Sequence, residues 1–155
     1  MHEPGPIVAD ERLTEISGIA FSRADERVLY AHNDSGDVAR VFALAADGTT
    51  TEVLTADAVA LDWEDAATTA DAVFLADIGD NLGIRPSVRI LRIDETTRVP
   101  TTYSITYPGG RPDAEALIVD ETGSVATIIT KDGPDGRARI FEVVLDENAD
   151  VAEAV

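Results

Sequence analysis

The chain contains no cysteine, which excludes disulfide bridges and thiolate metal sites and leaves the redox compartment unassigned. Basic residues are scarce, with 12 lysines and arginines against 30 aspartates and glutamates, for a formal charge of -18. Such a surface repels nucleic acid and anionic membrane, because phosphate binding needs clustered lysine and arginine, and it favours cations instead. Lys131 is the only lysine. Aromatic residues make up just 5% of the chain. No apolar run approaches the length of a membrane span, so membrane insertion is not expected. The start, Met1-His2-Glu3-Pro4-Gly5-Pro6, has neither the basic nor the apolar region of a signal peptide. An extracytoplasmic location stays open for a mature or truncated form. Gly-x-Ser-x-Gly elbows, phosphate-cradling loops and His-Glu-x-x-His are all missing, and no acidic run fits the EF-hand pattern. Helical periodicity is missing as well.

What the chain does hold is a repeat. At 155 residues it is long enough for one domain with a real core. Three times a glutamate opens a short apolar strand, a second strand follows, and a polar turn closes the unit. The first instance runs from Glu15-Ile16-Ser17-Gly18-Ile19 to His32-Asn33-Asp34-Ser35-Gly36-Asp37. The second runs from Glu64-Asp65-Ala66-Ala67 to Asp77-Ile78-Gly79-Asp80-Asn81, and the third from Glu115-Ala116-Leu117-Ile118-Val119 to Thr130-Lys131-Asp132-Gly133. The period is about 45–55 residues, which suits four-stranded propeller blades.

Segments rich in Val, Ile, Thr, Phe and Tyr lie between Gly, Pro, Asp and Asn, as strands do. Asp47-Gly48 is a hairpin signal, and Asp132-Gly133-Pro134-Asp135-Gly136 reads as a turn. The third strands share an arginine followed by alternating apolar residues, at Arg40, Arg89 and Arg139; pairing with a nearby carboxylate is one reading of these arginines and a solvated edge position is the other. The expected fold is all-β, a β-propeller of about three four-stranded blades over 13–56, 57–107 and 113–155, with a last strand at 150–155. Propellers close with four to eight blades. The chain therefore reads as part of a ring completed by a missing half or by a second copy.

Leu13-Thr14-Glu15-Ile16-Ser17-Gly18, Asp62-Trp63-Glu64-Asp65, Asp77-Ile78-Gly79-Asp80-Asn81 and Asp113-Ala114-Glu115-Ala116-Leu117 together resemble bacterial proteins of the six-bladed, TolB-like β-propeller type. The resemblance covers nearly the whole chain and about the first half of such a propeller. Its wider superfamily includes calcium-dependent lactonases, esterase-like phytase-related domains and NHL-type binding propellers. The resemblance thus implies an architecture without choosing an activity.

In a propeller blade the first strand lines the channel, and the segment leading into it shares a face with the turn after the second strand. Equivalent acidic residues should then ring one mouth. The candidate metal ligands are Glu15, Asn33, Asp62, Glu64, Asp77, Asp80 and Glu115, and the candidate ion is Ca²⁺, which takes six to eight oxygen ligands. The competing reading makes these residues turn formers bonded to local backbone amides. His32, beside Asn33-Asp34, is the candidate general base, and Trp63 the candidate stacking residue, with packing between blades as its alternative. The expected function is a binding propeller with an acidic, cation-binding mouth. The alternatives are a metal-dependent hydrolase of a lactone, ester or phosphoester, and a structural or protein-interaction module.

Overall fold

A computed structural model describes residues 5–131, 133, 135–149 and 151–155. The expectations that fall on residues 1–4, Asp132, Pro134 and Asp150 lie outside the described residues. Among the described residues there is no helix, hence none long and apolar enough to cross a membrane.

Among the described residues, twelve strands follow one another in three sheets. The first sheet is an antiparallel meander of β1 (Ile16–Phe21), β2 (Val28–Asn33), β3 (Val38–Ala45) and β4 (Thr50–Val59), in that order. Its β3–β4 hairpin turns at Asp47-Gly48, where Gly48 takes a φ of 84° that a side chain would resist. The second sheet contains β5 (Trp63–Thr68), β6 (Ala72–Asp77), β7 (Val88–Asp94) and β8 (Pro100–Thr106). The third contains β9 (Ala114–Val119), β10 (Val125–Thr130) and β11 (Ile140–Val144).

The last strand departs from expectation. β12 (Ala152–Glu153) does not complete the third sheet; it runs parallel to β8 as the fifth strand of the second. Val155 then exchanges two backbone bonds with Glu142 of β11, at 2.9 Å each. The segment therefore bridges two sheets, with Ala154 fully buried and Ala152 packed against the same core. The three sheets do not form a closed ring among the described residues.

The first strands of the three sheets, β1, β5 and β9, lie in sequence beside one another, β5 between the other two. Side chains staple them together: Thr68 Oγ1 donates to Phe21 O at 2.7 Å, and Leu117 N donates to Asp65 Oδ2 at 2.8 Å. Gly18 permits the first of these approaches, since a β-carbon there would strike His32 Nε2 and sit 2.9 Å from the Asp65 backbone. Tyr30, Val41, Trp63, Val73, Leu75, Leu91 and Ile93 fill the space between the first and second sheets. Phe74, Ile90, Ile105, Leu117, Ile128 and Val143 fill the space between the second and third. The second sheet is thus apolar on both faces, as a sheet covered from both sides must be.

Candidate acidic mouth

Each sheet carries the same irregularity near the start of its first strand. Ile16 pairs with Asn33 and Gly18 with His32; Trp63 pairs with Asp77 and Asp65 with Ala76; Ala114 pairs with Thr130 and Ala116 with Ile129. One residue is extra each time: Ser17, Glu64 and Glu115. Bulges of this kind re-aim side chains and gather near functional sites. They also set the true repeat frame, which differs from the frame expected above by two residues. Glu15 is equivalent to Asp62 and Asp113, while Glu64 and Glu115 are equivalent to Ser17.

The second and third sheets consequently present an Asp-x-Glu pair, Asp62/Glu64 and Asp113/Glu115, at the same end of adjacent strands. Oxygens of Asp34, Asp62 and Glu64 lie within 4.8 Å of one another, and so do oxygens of Glu64, Asp113 and Glu115. Glu64 belongs to both groups, and all five residues are half-buried. Gly79 makes room for them, because a methyl group at its Cα would collide with Glu64 Oε1 and Asp62 Oδ2.

The electrostatic cost falls on the middle of the cluster. Burial, followed by repulsion from Glu115, Asp62 and Asp34, pushes the Glu64 carboxyl up to about 7. Burial, with repulsion from Asp34 and Asp113, raises Asp62 as well. Lys131 brings positive charge to the Asp113/Glu115 side of the cluster. Its Nζ contacts Glu115 Oε1 and lies 3.4 Å from Asp113 Oδ2, and the hydrogen bond to Glu115 raises the pKa of this half-exposed ammonium.

Of the expected ligands, the structure brings together Asp62, Glu64 and Glu115 and leaves the others elsewhere. Glu15 is exposed and outside both groups. Asn33 is engaged on both sides of its amide: Oδ1 accepts from Glu15 N at 3.2 Å, and Nδ2 donates to Arg12 O at 2.7 Å and to Asp37 Oδ2 at 2.8 Å. Asp77 is fully buried, paired with Arg85 at 2.9 Å and with Arg89, and accepts from Asp62 N at 3.1 Å. Asn33 and Asp77 occupy equivalent ladder positions and make the same bond, pinning the backbone just before each bulge. Asp80 accepts from Ile84 N and Arg85 N, both at 2.9 Å, so it organises its own turn. Asp80 thus fills the local role of an Asx residue in a turn, whereas Asn33 and Asp77 join segments distant in the chain.

His32 lies within β2, fully buried, its Nδ1 donating to Asn33 O at 2.8 Å while Nε2 faces the Gly18 backbone. Burial lowers its pKa, and it has no solvent path to a substrate at the mouth. Trp63 is 1% exposed and meets His32 edge-on at 5.4 Å, so packing between sheets is its role and both ring faces are closed to a ligand. Asp34 and Asp113 are the members of the cluster absent from the expected ligand set. For Asp113 the visible signal was the repeated spacing Asp62-x-Glu64 and Asp113-x-Glu115; no such spacing marked Asp34.

The arginine pattern has the counterpart expected of it. Arg40 pairs with Asp37 at 2.8 Å, Arg89 with Asp77, and Arg139 with Asp135 at 3.4 Å. All three occupy the same register position opposite the second strand.

No protein-family model and no curated protein matches the chain. Among solved structures, it is similar to an auxiliary nutrient binding protein from Bacteroides thetaiotaomicron, with 12% identity and a TM-score of 0.38 over 90% of this chain. The match takes in 41% of that protein, so the chain spans less than half its length.

Proposed function

We propose that the chain is a binding module of the β-propeller kind, about half of a six-bladed TolB-like ring, whose acidic mouth holds a divalent cation between Asp62, Glu64 and Glu115, with Asp34 and Asp113 completing the oxygen set. One observation supports this reading above the rest. Glu64 stands within two carboxylate groups at once and is driven toward protonation when no cation is beside it. A divalent ion removes that repulsion and supplies what half-buried carboxylates lack. The ligand chemistry is all hard oxygen, which suits Ca²⁺, and the ion would leave positions open toward solvent for a ligand oxygen.

The hydrolase alternative rests on the same carboxyl, because a group titrating near neutrality is suited to general acid–base work. His32 is not placed for that role, so a carboxylate would have to activate the water.

Thermal melts of chelator-treated protein with and without Ca²⁺ test the cation site. Saturation at 100 times Kd stabilises by about 2.7 kcal/mol, which is roughly 5–10 °C for a domain of this size. An unchanged melt at millimolar Ca²⁺ removes the proposal.

A further inference from the structure

The connection between β6 and β7, residues 78–87, reaches both aspartates of the mouth from one side. Just before it, Asp77 Oδ1 accepts from Asp62 N at 3.1 Å, and within it Gly79 N donates to Asp62 O at 3.2 Å. The backbone of Asp62 is thus held at both of its polar groups. Further along, Asp80 N donates to Asp113 Oδ1 at 2.7 Å, from the second sheet's connection to the residue that leads into the third sheet. That bond holds the carboxylate itself. Asp62 and Asp113 enter different sheets, and the shape of residues 77–80 sets how they stand to each other.

Arg85 fixes that shape. Its Nη2 lies 2.9 Å from Asp77 Oδ1, the same oxygen that Asp62 N uses, and donates to Asp77 O at 3.1 Å. Its Nη1 donates to Gly79 O at 2.7 Å, and its backbone N donates to Asp80 Oδ2 at 2.9 Å. One residue therefore ties together Asp77, Gly79 and Asp80, the three that hold the mouth aspartates. A planar guanidinium suits this task, because its donors leave in fixed directions, whereas an ammonium has no such fork. The side chain is 12% exposed, so water competes little for these bonds. Arg89 supplies an internal contrast. It pairs with the same Asp77 carboxylate, but its other side-chain hydrogen bond goes to Val59 O, away from the connection.

On the cation reading given above, we propose that Arg85 is a positioning residue of the acidic mouth, holding residues 77–80 so that Asp62 and Asp113 face one shared ion. Groups that orient metal ligands without touching the metal change affinity by about 10–100-fold when removed.

Calorimetric titration of the full chain with Ca²⁺ tests this on Arg85→Met, Arg85→Lys and Arg89→Met. Taking a positive charge away from the mouth tightens cation binding by itself, and Arg89→Met should show that sign. Arg85→Met should show the opposite sign and weaken binding about tenfold or more. Arg85→Lys keeps the charge and loses the fork, so it should weaken binding as well. It decides the matter should Arg85→Met unfold by circular dichroism. An Arg85 variant that folds and binds Ca²⁺ as tightly as wild type overturns the proposal. Amide hydrogen exchange of the metal-free protein, followed by NMR, separates this from the cation reading. The Asp62 and Asp80 amides should exchange about tenfold faster in the Arg85 variants and stay slow in Arg89→Met. Unchanged exchange overturns the role of Arg85 whether or not Ca²⁺ binds. A wild type that ignores Ca²⁺ while these amides respond removes the cation and upholds Arg85 as the residue that sets the two aspartates.

Discussion

Replacing Glu64 with glutamine keeps the shape of the side chain and removes its charge, and the fold should become more stable in the absence of metal. The carboxyl is carried from 4.5 to about 7 in the folded chain. At full weight that displacement is worth roughly 3 kcal/mol, and about 1–2 kcal/mol once solvent screening at a half-buried site is allowed for. The sign follows from the raised value. Glu64 favours the fold most below about 4.5, where both states hold the proton, and this is lost as pH rises through about 7, where the folded state finally ionises. Glu64→Gln should therefore gain over wild type from pH 5 to pH 8 and then level off, reaching about 3–6 °C in Tm. The assay is a set of melts across pH in chelator, repeated with Ca²⁺, where the variant should lose the metal-induced rise. A variant less stable than wild type at pH 8, or a difference that ignores pH, would refute the reasoning.

Gly79→Ala puts a methyl group against Glu64 and Asp62; overpacking should cost about 1–3 kcal/mol and blunt the Ca²⁺ response, both read from one pair of melts. Lys131→Met removes the ammonium that competes for Glu115 and Asp113, and calorimetric titration should show Ca²⁺ bound about 2–5-fold more tightly, in line with an exposed ion pair. Asp77→Asn strands two largely buried arginines, Arg85 and Arg89. Denaturant unfolding should register a loss of about 3–5 kcal/mol, because breaking a buried pair leaves charge uncompensated.

Strand positions were legible because they depend on local pattern. Alternation in Val88-Arg89-Ile90-Leu91-Arg92-Ile93 and the Asp47-Gly48 turn are properties of a few adjacent residues, and both appear in the fold where expected. The recurring arginine was legible for the same reason. The cluster was legible only in part, because membership depends on pairing partners. Glu15 and Glu64 look alike in sequence, yet Glu64 is itself the bulge residue of its sheet, where the first sheet has Ser17, while Glu15 stands two residues before that bulge and is exposed. Asp77 and Asp62 are the same residue type, but Asp77 ends its strand opposite Arg89; the sequence marked the arginine without marking which carboxylate it would take. His32 reads as a loop residue beside polar neighbours, and Trp63 as either a stacking residue or one packed between blades. Their burial arises from contact between the first and second sheets, which no single repeat contains. The course of β12 likewise depends on a seam between sheets.

The central claim is that carboxylates from separate sheets share one divalent ion. Crystals grown with Ca²⁺ and examined by anomalous diffraction address it directly. The account predicts one peak about 2.3–2.6 Å from oxygens of Asp62, Glu64 and Glu115, with Lys131 displaced from Glu115. A mouth without a peak at millimolar Ca²⁺, and Lys131 still resting on Glu115, would contradict it.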